Sequence, residues 1–483
     1  MVFINTIIMK LIQLRTLKTL VAILAFTLHC QGKVILPSIL SSHMVLQQNT
    51  KVKFWGKGSP KEVIIIKPSW DTASYTITTD GNAKWSTYIN TPAASGPFTI
   101  EIKGSNTILL EDILIGEVWL CSGQSNMEMS GNSLKLRESV LESPNATNNK
   151  IRFFYVPKST STFPQDNIDD ARWVVCSPSE MIRFSAIGYF FGKELNKSLS
   201  YPIGLIGAYW GGTNAEAWSP NYLIENNNII KKGLSLATPN PGRPHESSIV
   251  YNAMIYPLAN FNIAGVIWYQ GESNTNSYFA YEKLFRGMID AWRTVWQKDF
   301  PFYFVQIAPY RYKFSNVGAL LREKQNIVSK HPGTGLVVIS DLVPDTLDIH
   351  PTKKIEVAIR LANLALFNTY QLRHLKPFSP EYSSHIIEKD KFKIFFSHAE
   401  SGFVWDGEEI KGFEIAGEDR IFYPAEVKFE KNYLVVFNKL IAKPIAVRFG
   451  FHNTTVPNLF NKERLPVNLF RTDNWEVATD PIK

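Results

Sequence analysis

Four polar segments, three of which contain glycine, each follow a predicted β-strand, and together they contain the groups that acyl-transfer chemistry needs. They are Cys121–Met127, Trp210–Glu216, Gln270–Asn274 and Asp341–His350. In an open α/β sheet, ligands bind beyond the carboxyl ends of the strands. We therefore expect the four segments to meet at one edge of a sheet and to form an active site there.

Ser125 is the candidate nucleophile of this site, with His350 as its general base and Asp348 as the acid that orients the base. A serine hydroxyl is a weak nucleophile until a base takes its proton and preorganised donors stabilise the oxyanion. Gly123 gives the backbone before Ser125 the freedom to turn. In an extended segment, residues two apart point the same way, which would bring Asp348 beside His350. The spacing leaves Asp345, or a more distant group, open as the acid.

Each of these residues also has a purely structural interpretation. A serine in a turn or an aspartate in a loop most often serves the backbone through hydrogen bonds. His350 precedes a predicted helix, whose start it could stabilise. The joint placement of a serine, a histidine and aspartates at one predicted edge is what favours a serine hydrolase.

The pattern of apolar residues changes twice along the chain that positions these segments. The first part, to about residue 112, has short alternating runs separated by Gly, Pro and Asp-Gly, which is typical of a small β-sandwich. Near-continuous apolar strands then alternate with helical periods, which predicts a parallel sheet with helices on both faces. After about residue 375, short strands return. The predicted fold is α/β, with β-sandwich-like domains on either side of the parallel sheet.

The first 32 residues have the pattern of an export signal. They contain three basic residues and no acidic one, followed by an apolar run from Thr19 to Leu28 that is too short to span a bilayer. We therefore expect an exported protein, periplasmic or extracellular, with no membrane span in its mature form. The predicted domains are the export signal (1–32), an N-terminal β domain (33–112), a catalytic α/β domain (113–375) and a C-terminal β domain (376–483).

Composition excludes several classes of protein. Hydrophobic residues make up 45% of the chain and charged residues 19%, which excludes a mainly disordered chain, a coiled coil and a protein with many membrane spans. The net charge is +8, and the basic residues form no run, so nothing indicates a nucleic-acid partner. The sequence contains no HExxH, P-loop or dinucleotide-binding pattern.

A series of sequence blocks, in the expected order, resembles the sialate O-acetylesterase family, a branch of the SGNH-type hydrolases. The strongest block is VWLCSGQSNM at 118–127, which contains Ser125. The resemblance implies that Ser125 is the nucleophile, that His350 is the catalytic histidine and that neither a metal nor an organic cofactor is used. It also implies hydrolysis of an acetyl ester on a sugar or sialoglycan, with 9-O-acetylated sialic acid as the substrate. The other blocks are MVLQ (44–47), FSAIGYFFGKEL (184–195), WGGTNAEAW (210–218), YNAMIYPL (251–258), WYQGESN (268–274), DIHP (348–351), GFEIAG (412–417) and FRTDNW (470–475).

This sequence departs from the SGNH pattern in two blocks. The position three residues before the histidine, where an aspartate is usual, is Leu347. The third block, usually GxND, is GESN at residues 271–274. We therefore expect the oxyanion donors to be the backbone N–H groups of Ser125 and Gly212, with the side chain of Asn274 or Gln270 as a third.

Three further residues of these blocks are predicted to bind the substrate: Gln124, Gln270 and Glu272. Gln124 and Glu272 could instead orient the neighbouring loop. For Glu272, pairing with a buried arginine or capping a helix is an equally good interpretation. No residue is predicted to bind a metal.

The blocks describe the acetyl-transfer machinery and not the sugar. An acetylesterase of plant polysaccharide such as xylan is therefore an alternative, and a non-catalytic exported carbohydrate-binding protein is a second one. A sialic acid carboxylate calls for an arginine, and Arg183, Arg243 and Arg322 are candidates by residue type alone. Of the tryptophans in the blocks, Trp119 and Trp268 are expected in the core. The sequence leaves the oligomeric state open.

Overall fold

The computed structural model describes residue 9 and residues 32–133, 142–237 and 242–481. The predicted export signal lies almost entirely outside the described residues. None of the helices within the described ranges combines the length and the apolar character needed to cross a membrane. The chain divides into a smaller unit and a larger unit. The smaller comprises Met1–Leu36, Phe54–Tyr88 and Thr99–Leu110, and the larger comprises Pro37–Lys53, Ile89–Phe98 and Glu111–Lys483.

Short strands make up the N-terminal region, as predicted. In the smaller unit, β3 pairs antiparallel with β4 and β6, and its side chains alternate between buried and solvent-facing, with Ile64 and Ile66 buried. This alternation is what a sheet with one covered face requires. The strands are β1 (Val45–Gln47), β2 (Lys51–Lys57), β3 (Val63–Pro68), β4 (Tyr75–Thr78), β5 (Lys84–Asn90), β6 (Ser95–Lys103) and β7 (Thr107–Gly123).

The larger unit contains a sheet in the order β13-β12-β11-β7-β10-β8-β9. All neighbouring pairs in it are parallel except β8 with β9, so the predicted parallel sheet is confirmed and carries one antiparallel edge strand. The second half of β7 lies at the centre and is buried without interruption from Ile113 to Gly123. The other strands are β8 (Asn148–Tyr155), β9 (Trp173–Cys176), β10 (Ile203–Tyr209), β11 (Gly265–Tyr269), β12 (Phe302–Val305) and β13 (Thr334–Val337).

Helices cover both faces of this sheet. The described α-helices are α1 (Ser125–Glu128), α2 (Pro178–Met181), α3 (Ala186–Leu199), α4 (Asn221–Glu225), α5 (Asn228–Leu234), α6 (Tyr278–Trp296), α7 (Val317–Val328) and α8 (Lys354–Asn368). Ile267 and Tyr269 of β11 lie in one core cluster with α3 and α8. Trp268 points to the opposite face, where its ring lies 5.8 Å from that of Trp292 on α6. Successive side chains of β11 therefore point to opposite faces of the sheet and contact different helical layers.

Antiparallel sheets follow the last helix. β14 to β23 form two four-stranded sheets and one two-stranded sheet around a shared apolar core. This region is tied to the parallel-sheet region by the ion pair of Arg471 with Glu323 of α7, at 2.6 Å. The strands are β14 (Glu381–Glu388), β15 (Lys391–Ser397), β16 (Phe403–Trp405), β17 (Phe413–Ala416), β18 (Phe422–Pro424), β19 (Glu426–Glu430), β20 (Tyr433–Phe437), β21 (Ala446–Phe449), β22 (Leu459–Asn461) and β23 (Phe470–Arg471).

Candidate active site

The segment that carries Ser125 leaves the central strand through a sharp turn. β7 ends at Gly123, whose φ is +136°, and α1 begins at Ser125. The backbone N–H of Gln124 donates to the carbonyl oxygen of Tyr269 at 3.0 Å. A Cβ atom at Gly123 would lie 2.2 Å from that same oxygen. The turn that presents Ser125 therefore requires glycine at position 123.

Gly123→Ala is expected to lower the free energy of unfolding by about 2–6 kcal/mol, because it adds backbone strain to a steric overlap. Urea denaturation of purified variants measures this loss. Gly81→Ala is the matched control, since a Cβ atom at Gly81 would meet no atom within 4 Å. Equal stability of the two variants would contradict the close approach at Gly123.

His350 faces Ser125 from the loop between β13 and α8. Its Nε2 lies 2.9 Å from the Oγ of Ser125, which is a hydrogen-bond distance. Next to this pair, the side-chain N–H of Asn126 donates to the carbonyl oxygen of Ile349 at 3.1 Å. Because Asn126 follows Ser125 and Ile349 precedes His350, this bond joins the two segments. Nε2 is thus placed to accept the hydroxyl proton of Ser125.

The aspartates before His350 interact with the backbone as well. The Oδ1 atom of Asp348 accepts the backbone N–H of His350 at 3.0 Å and lies 3.7 Å from Nδ1 of the ring. Residues 345–350 form turns and bends, so the expectation of an extended segment was wrong. The Asp348 carboxylate instead binds the backbone of its own loop. The exposed Asp345 accepts the N–H of Leu347 at 2.8 Å, which is a turn interaction.

Three buried polar side chains form a network next to Ser125 and His350. The ammonium group of Lys354 donates to Oδ1 of Asn126 at 2.6 Å. The Nδ2 of Asn126 in turn donates to Oε1 of Glu272 at 2.6 Å. Lys354 is 2% exposed and Glu272 is 7% exposed. The Asn126 amide therefore bridges a buried ammonium group and a buried carboxylate.

Burial shifts the pKa of both ionisable groups of this network toward the neutral form. Desolvation raises the pKa of Glu272, against the opposing effects of its hydrogen bonds and of the Lys354 charge. Desolvation lowers the pKa of Lys354 to about 7, against the charges of Glu272 and Asp348. Oε2 of Glu272 is buried and has no hydrogen-bond partner among the described residues. The Lys354 ammonium therefore titrates near neutral pH.

Two backbone N–H groups next to the Ser125 hydroxyl, those of Ser125 itself and of Gly212, have no protein acceptor among the residues that the structure describes. Gly212 lies in the turn after β10 and has a φ of +77°. Its neighbour Gly211 donates its N–H to Oε2 of Glu128 at 2.5 Å. A Cβ atom at Gly211 would lie 3.0 Å from the Cβ of Ser125, so this turn packs on the nucleophile. Both free N–H groups suit an oxyanion.

The predicted side-chain donors lie instead in a buried network. Nδ2 of Asn274 donates to Glu216 at 2.8 Å and to Ser277 at 3.4 Å. Its Oδ1 accepts from Nε2 of Gln270 at 2.7 Å, and Oε1 of Gln270 accepts from Tyr281 at 3.0 Å. Both amides are buried and committed to these partners. The structure therefore does not support Asn274 as an oxyanion donor, and it does not support Gln270 as a substrate-binding residue.

The other two predicted substrate-binding residues, Gln124 and Glu272, form hydrogen bonds with neighbouring parts of the protein. Oε1 of Gln124 accepts the backbone N–H groups of Gly271 (3.3 Å) and Ser273 (3.4 Å), which fixes the orientation of its amide. Gln124 is 3% exposed. Glu272 is held in the network of Asn126 and Lys354, so its buried cation is a lysine and not an arginine. For both residues the structure supports the alternative in which they orient the neighbouring loop.

The family of the chain follows from comparison with known proteins. The model for the carbohydrate esterase family of sialic acid-specific acetylesterases matches residues 115–366, which include Ser125 and His350. The chain belongs to this family. It is 31% identical to human sialate O-acetylesterase in an alignment of 363 residues, and the match covers 67% of this chain and 69% of the human protein. The mouse sialate O-acetylesterase is 30% identical in an alignment of 389 residues, and the match covers 67% of this chain and 71% of that protein.

A solved structure extends the likeness beyond the esterase domain. A carbohydrate acetylesterase from Xanthomonas citri is 32% identical, with a TM-score of 0.83, and the match covers 92% of this chain and all (100%) of that chain. The predicted fold class, with an SGNH-like sheet, is thereby confirmed. The chain is accordingly a carbohydrate esterase.

Sequence reasoning missed three residues of this esterase site: Asn126, Glu128 and Lys354. The signal for Lys354 was a lysine directly before an apolar helical repeat, four residues after His350. Asn126 is part of the block that contains Ser125, and Glu128 directly follows that block, but nothing in their spacing indicates their partners. Within the described ranges, no group of three or more His, Cys, Asp or Glu side chains could hold a metal ion.

The tryptophans and arginines of the esterase divide between the core and the active-site edge. Arg322 belongs to the core, where it is 1% exposed and donates to the carbonyl oxygen of Gly318 at 3.3 Å. Arg243 is exposed and donates to the carbonyl oxygen of Gly211 at 2.9 Å. Trp210 is partly exposed next to Gly211. The tryptophans of the sequence blocks that have no exposed surface are Trp119, Trp218 and Trp268.

Proposed function

We propose that this esterase removes O-acetyl groups from sugars with Ser125 as its nucleophile and His350 as its general base. The observation that carries the proposal is the 2.9 Å contact between Oγ of Ser125 and Nε2 of His350. The contact lies at the carboxyl edge of the parallel sheet, where an open α/β fold binds its ligands.

The proposed reaction has two steps. His350 takes the proton of Ser125 as Oγ attacks the acetyl carbonyl carbon, and the oxyanion forms against the N–H groups of Ser125 and Gly212. The ester bond then breaks, and the sugar oxygen leaves with the proton from His350. Water, deprotonated by His350, attacks the acetyl-enzyme and releases acetate and free Ser125.

Asp348 is the proposed acid of the triad. Its carboxylate lies 3.7 Å from Nδ1 of His350, within ion-pair distance, and would stabilise the imidazolium that forms in each step. Its hydrogen bond with the N–H of His350 also holds the loop in place. Asp345 is exposed and serves a turn, which favours Asp348.

The proposed substrate is 9-O-acetylated sialic acid. The description of the matching family and the names of the mammalian relatives support this choice. Acetylated neutral polysaccharide such as xylan is the second candidate, because a carbohydrate acetylesterase matches nearly the full length of the chain.

We expect kcat/KM for acetate release from 9-O-acetyl-N-acetylneuraminic acid to exceed that from acetylated xylo-oligosaccharide by about tenfold or more. Enzymatic measurement of acetate with both substrates tests this expectation. The opposite preference would replace the sialate assignment with the polysaccharide one. Release from neither substrate by folded protein would contradict the esterase proposal.

We also propose that the chain is exported. Support comes from the basic residues and the short apolar run of its first 32 residues. The N-terminal sequence of the protein recovered from its native host would then begin at or beyond about residue 33. A protein that retains Met1 and stays in the cytoplasm would contradict export.

A further inference from the structure

The edge of the site next to Ser125 carries two cations and a partly exposed aromatic ring. Lys158 is exposed and its Nζ lies 5.9 Å from the centre of the Trp210 ring. Arg243 is exposed and lies against the Gly211–Gly212 turn. Neither cation takes part in the proposed acetyl transfer.

The charge of Lys158 is already balanced. Its ammonium group forms an ion pair with Oε1 of Glu128. The other carboxylate oxygen of Glu128 accepts the N–H of Gly211. Glu128 thereby holds Lys158 over the ring of Trp210. Through its other oxygen, Glu128 also holds the glycine turn against α1. This side of the edge therefore carries no uncompensated charge on Lys158, and its partly exposed Trp210 ring is of a type that suits the C–H surface of a sugar.

The charge of Arg243 is not balanced in this way. One guanidinium nitrogen, Nη1, donates to the carbonyl oxygen of Gly211 at 2.9 Å. A Cβ atom at Gly212 would lie 3.3–3.5 Å from Cγ, Cδ and Nε of Arg243, so its side chain runs along this glycine. No carboxylate forms an ion pair with Arg243 in the described parts of the chain. The guanidinium is thus held by the glycine turn that packs on Ser125, and its other N–H groups have no carboxylate partner among the described residues.

We propose that Arg243 binds the carboxylate of an anionic acetylated sugar while Trp210 supports the sugar itself. The inference rests on the proposed acetyl transfer at Ser125. A planar guanidinium offers paired donors that match a carboxylate, and one that is already anchored loses little further freedom on binding. The other two candidates from the sequence fit less well. Arg322 is buried, and no contact links the exposed Arg183 to the glycine turn.

The ligand chemistry is that of a sugar acid, for which sialic acids and uronic acids are the two sources. Each can be compared with its own methyl ester, which keeps the acetyl group, replaces the carboxylate by a neutral ester and adds one methyl group. The probes are 9-O-acetyl-N-acetylneuraminic acid, an O-acetylated methyl glucuronoside and the methyl ester of each. The readout is the ratio of kcat/KM for acetate release from the acid to that from its ester.

We expect the wild type to prefer at least one acid over its ester by about tenfold or more, as loss of a charge-assisted hydrogen bond implies. Arg243→Gln should bring that ratio to about one, and Arg243→Lys should leave it intermediate because the charge stays and the paired donors are lost. The control is Arg373→Gln. Arg373 follows the C-terminus of α8, about 20 Å along the helix from its start near His350.

Preference for the sialic acid or for the uronic acid identifies the source of the carboxylate, and either supports the proposal. A wild-type ratio near one for both pairs, or a preference that Arg243→Gln retains, would overturn it while the acetyl transfer stands. No acetate release from any of the four compounds by folded wild type would overturn the acetyl transfer and the carboxylate site together.

Discussion

Ser125→Ala and His350→Ala are each expected to lower kcat for acetate release by about 10⁴–10⁶, and the double variant is expected to lose no more than the worse single variant. The reason is that, in the proposed mechanism, the two groups act as one unit. There Oγ of Ser125 becomes nucleophilic only when Nε2 of His350, 2.9 Å away, takes its proton. Either loss alone removes the covalent route.

Hydrolysis of 4-methylumbelliferyl acetate, corrected for the rate without enzyme, measures this loss independently of the sugar. Ser401→Ala is the matched control, because Ser401 is an exposed serine of the C-terminal β-sheet region. Losses that multiply in the double variant would show that the residues act separately. A single variant that loses less than tenfold would remove that residue from the proposed mechanism.

Lys354→Met is expected to lower the free energy of unfolding by about 3–5 kcal/mol, the usual cost of leaving a buried charge without the opposite charge that compensates it. The ammonium group reaches Asn126 at 2.6 Å, and Asn126 reaches Glu272 at 2.6 Å. Without Lys354, the Glu272 carboxylate stays buried with no cation in its network. Urea denaturation at pH 7 measures the change.

Glu272→Gln supplies the control for this network. In the double variant with Lys354→Met, no unpaired charge is left, so part of the lost stability should return. The two single losses should therefore exceed the loss in the double variant. Strictly additive losses would contradict a coupling between Lys354 and Glu272 through Asn126.

The same network predicts a pH dependence of stability. Desolvation lowers the pKa of Lys354 to about 7 in the folded protein, below its ordinary value of 10.5. Between these two pH values the unfolded chain binds a proton that the folded chain has released, so this group adds stability as the pH rises. The stability of the wild type relative to Lys354→Met should therefore increase from pH 7 toward pH 10. A constant or decreasing difference would contradict the lowered pKa.

The sequence was sufficient to predict that Ser125 and His350 meet at one edge of the sheet. Ser125 and His350 follow two strands of a parallel sheet. The carboxyl ends of parallel strands lie at the same edge of the sheet, independently of the structure of the chain between them. The roles of Asn274 and Gln270 could not be predicted in this way. An amide side chain can serve a substrate or a buried network, and the choice depends on partners such as Glu216 and Tyr281, which are distant in sequence.

Local geometry limited the prediction at two other positions. The pairing of Asp348 with His350 was expected from an extended segment, but the loop turns, and the carboxylate also binds the backbone. Lys354 directly precedes an apolar helical repeat, and only the folded arrangement brings its ammonium group to Asn126. Short-range spacing does not determine either contact.

Covalent labelling with a fluorophosphonate tests the central claim most directly, because the reagent phosphonylates a serine that a neighbouring base has activated. Intact-mass spectrometry followed by peptide mapping should show one adduct per chain, on Ser125. The adduct should be absent in Ser125→Ala and should form far more slowly in His350→Ala. An adduct on another residue, or labelling of Ser125→Ala at the wild-type rate, would contradict Ser125 as the nucleophile.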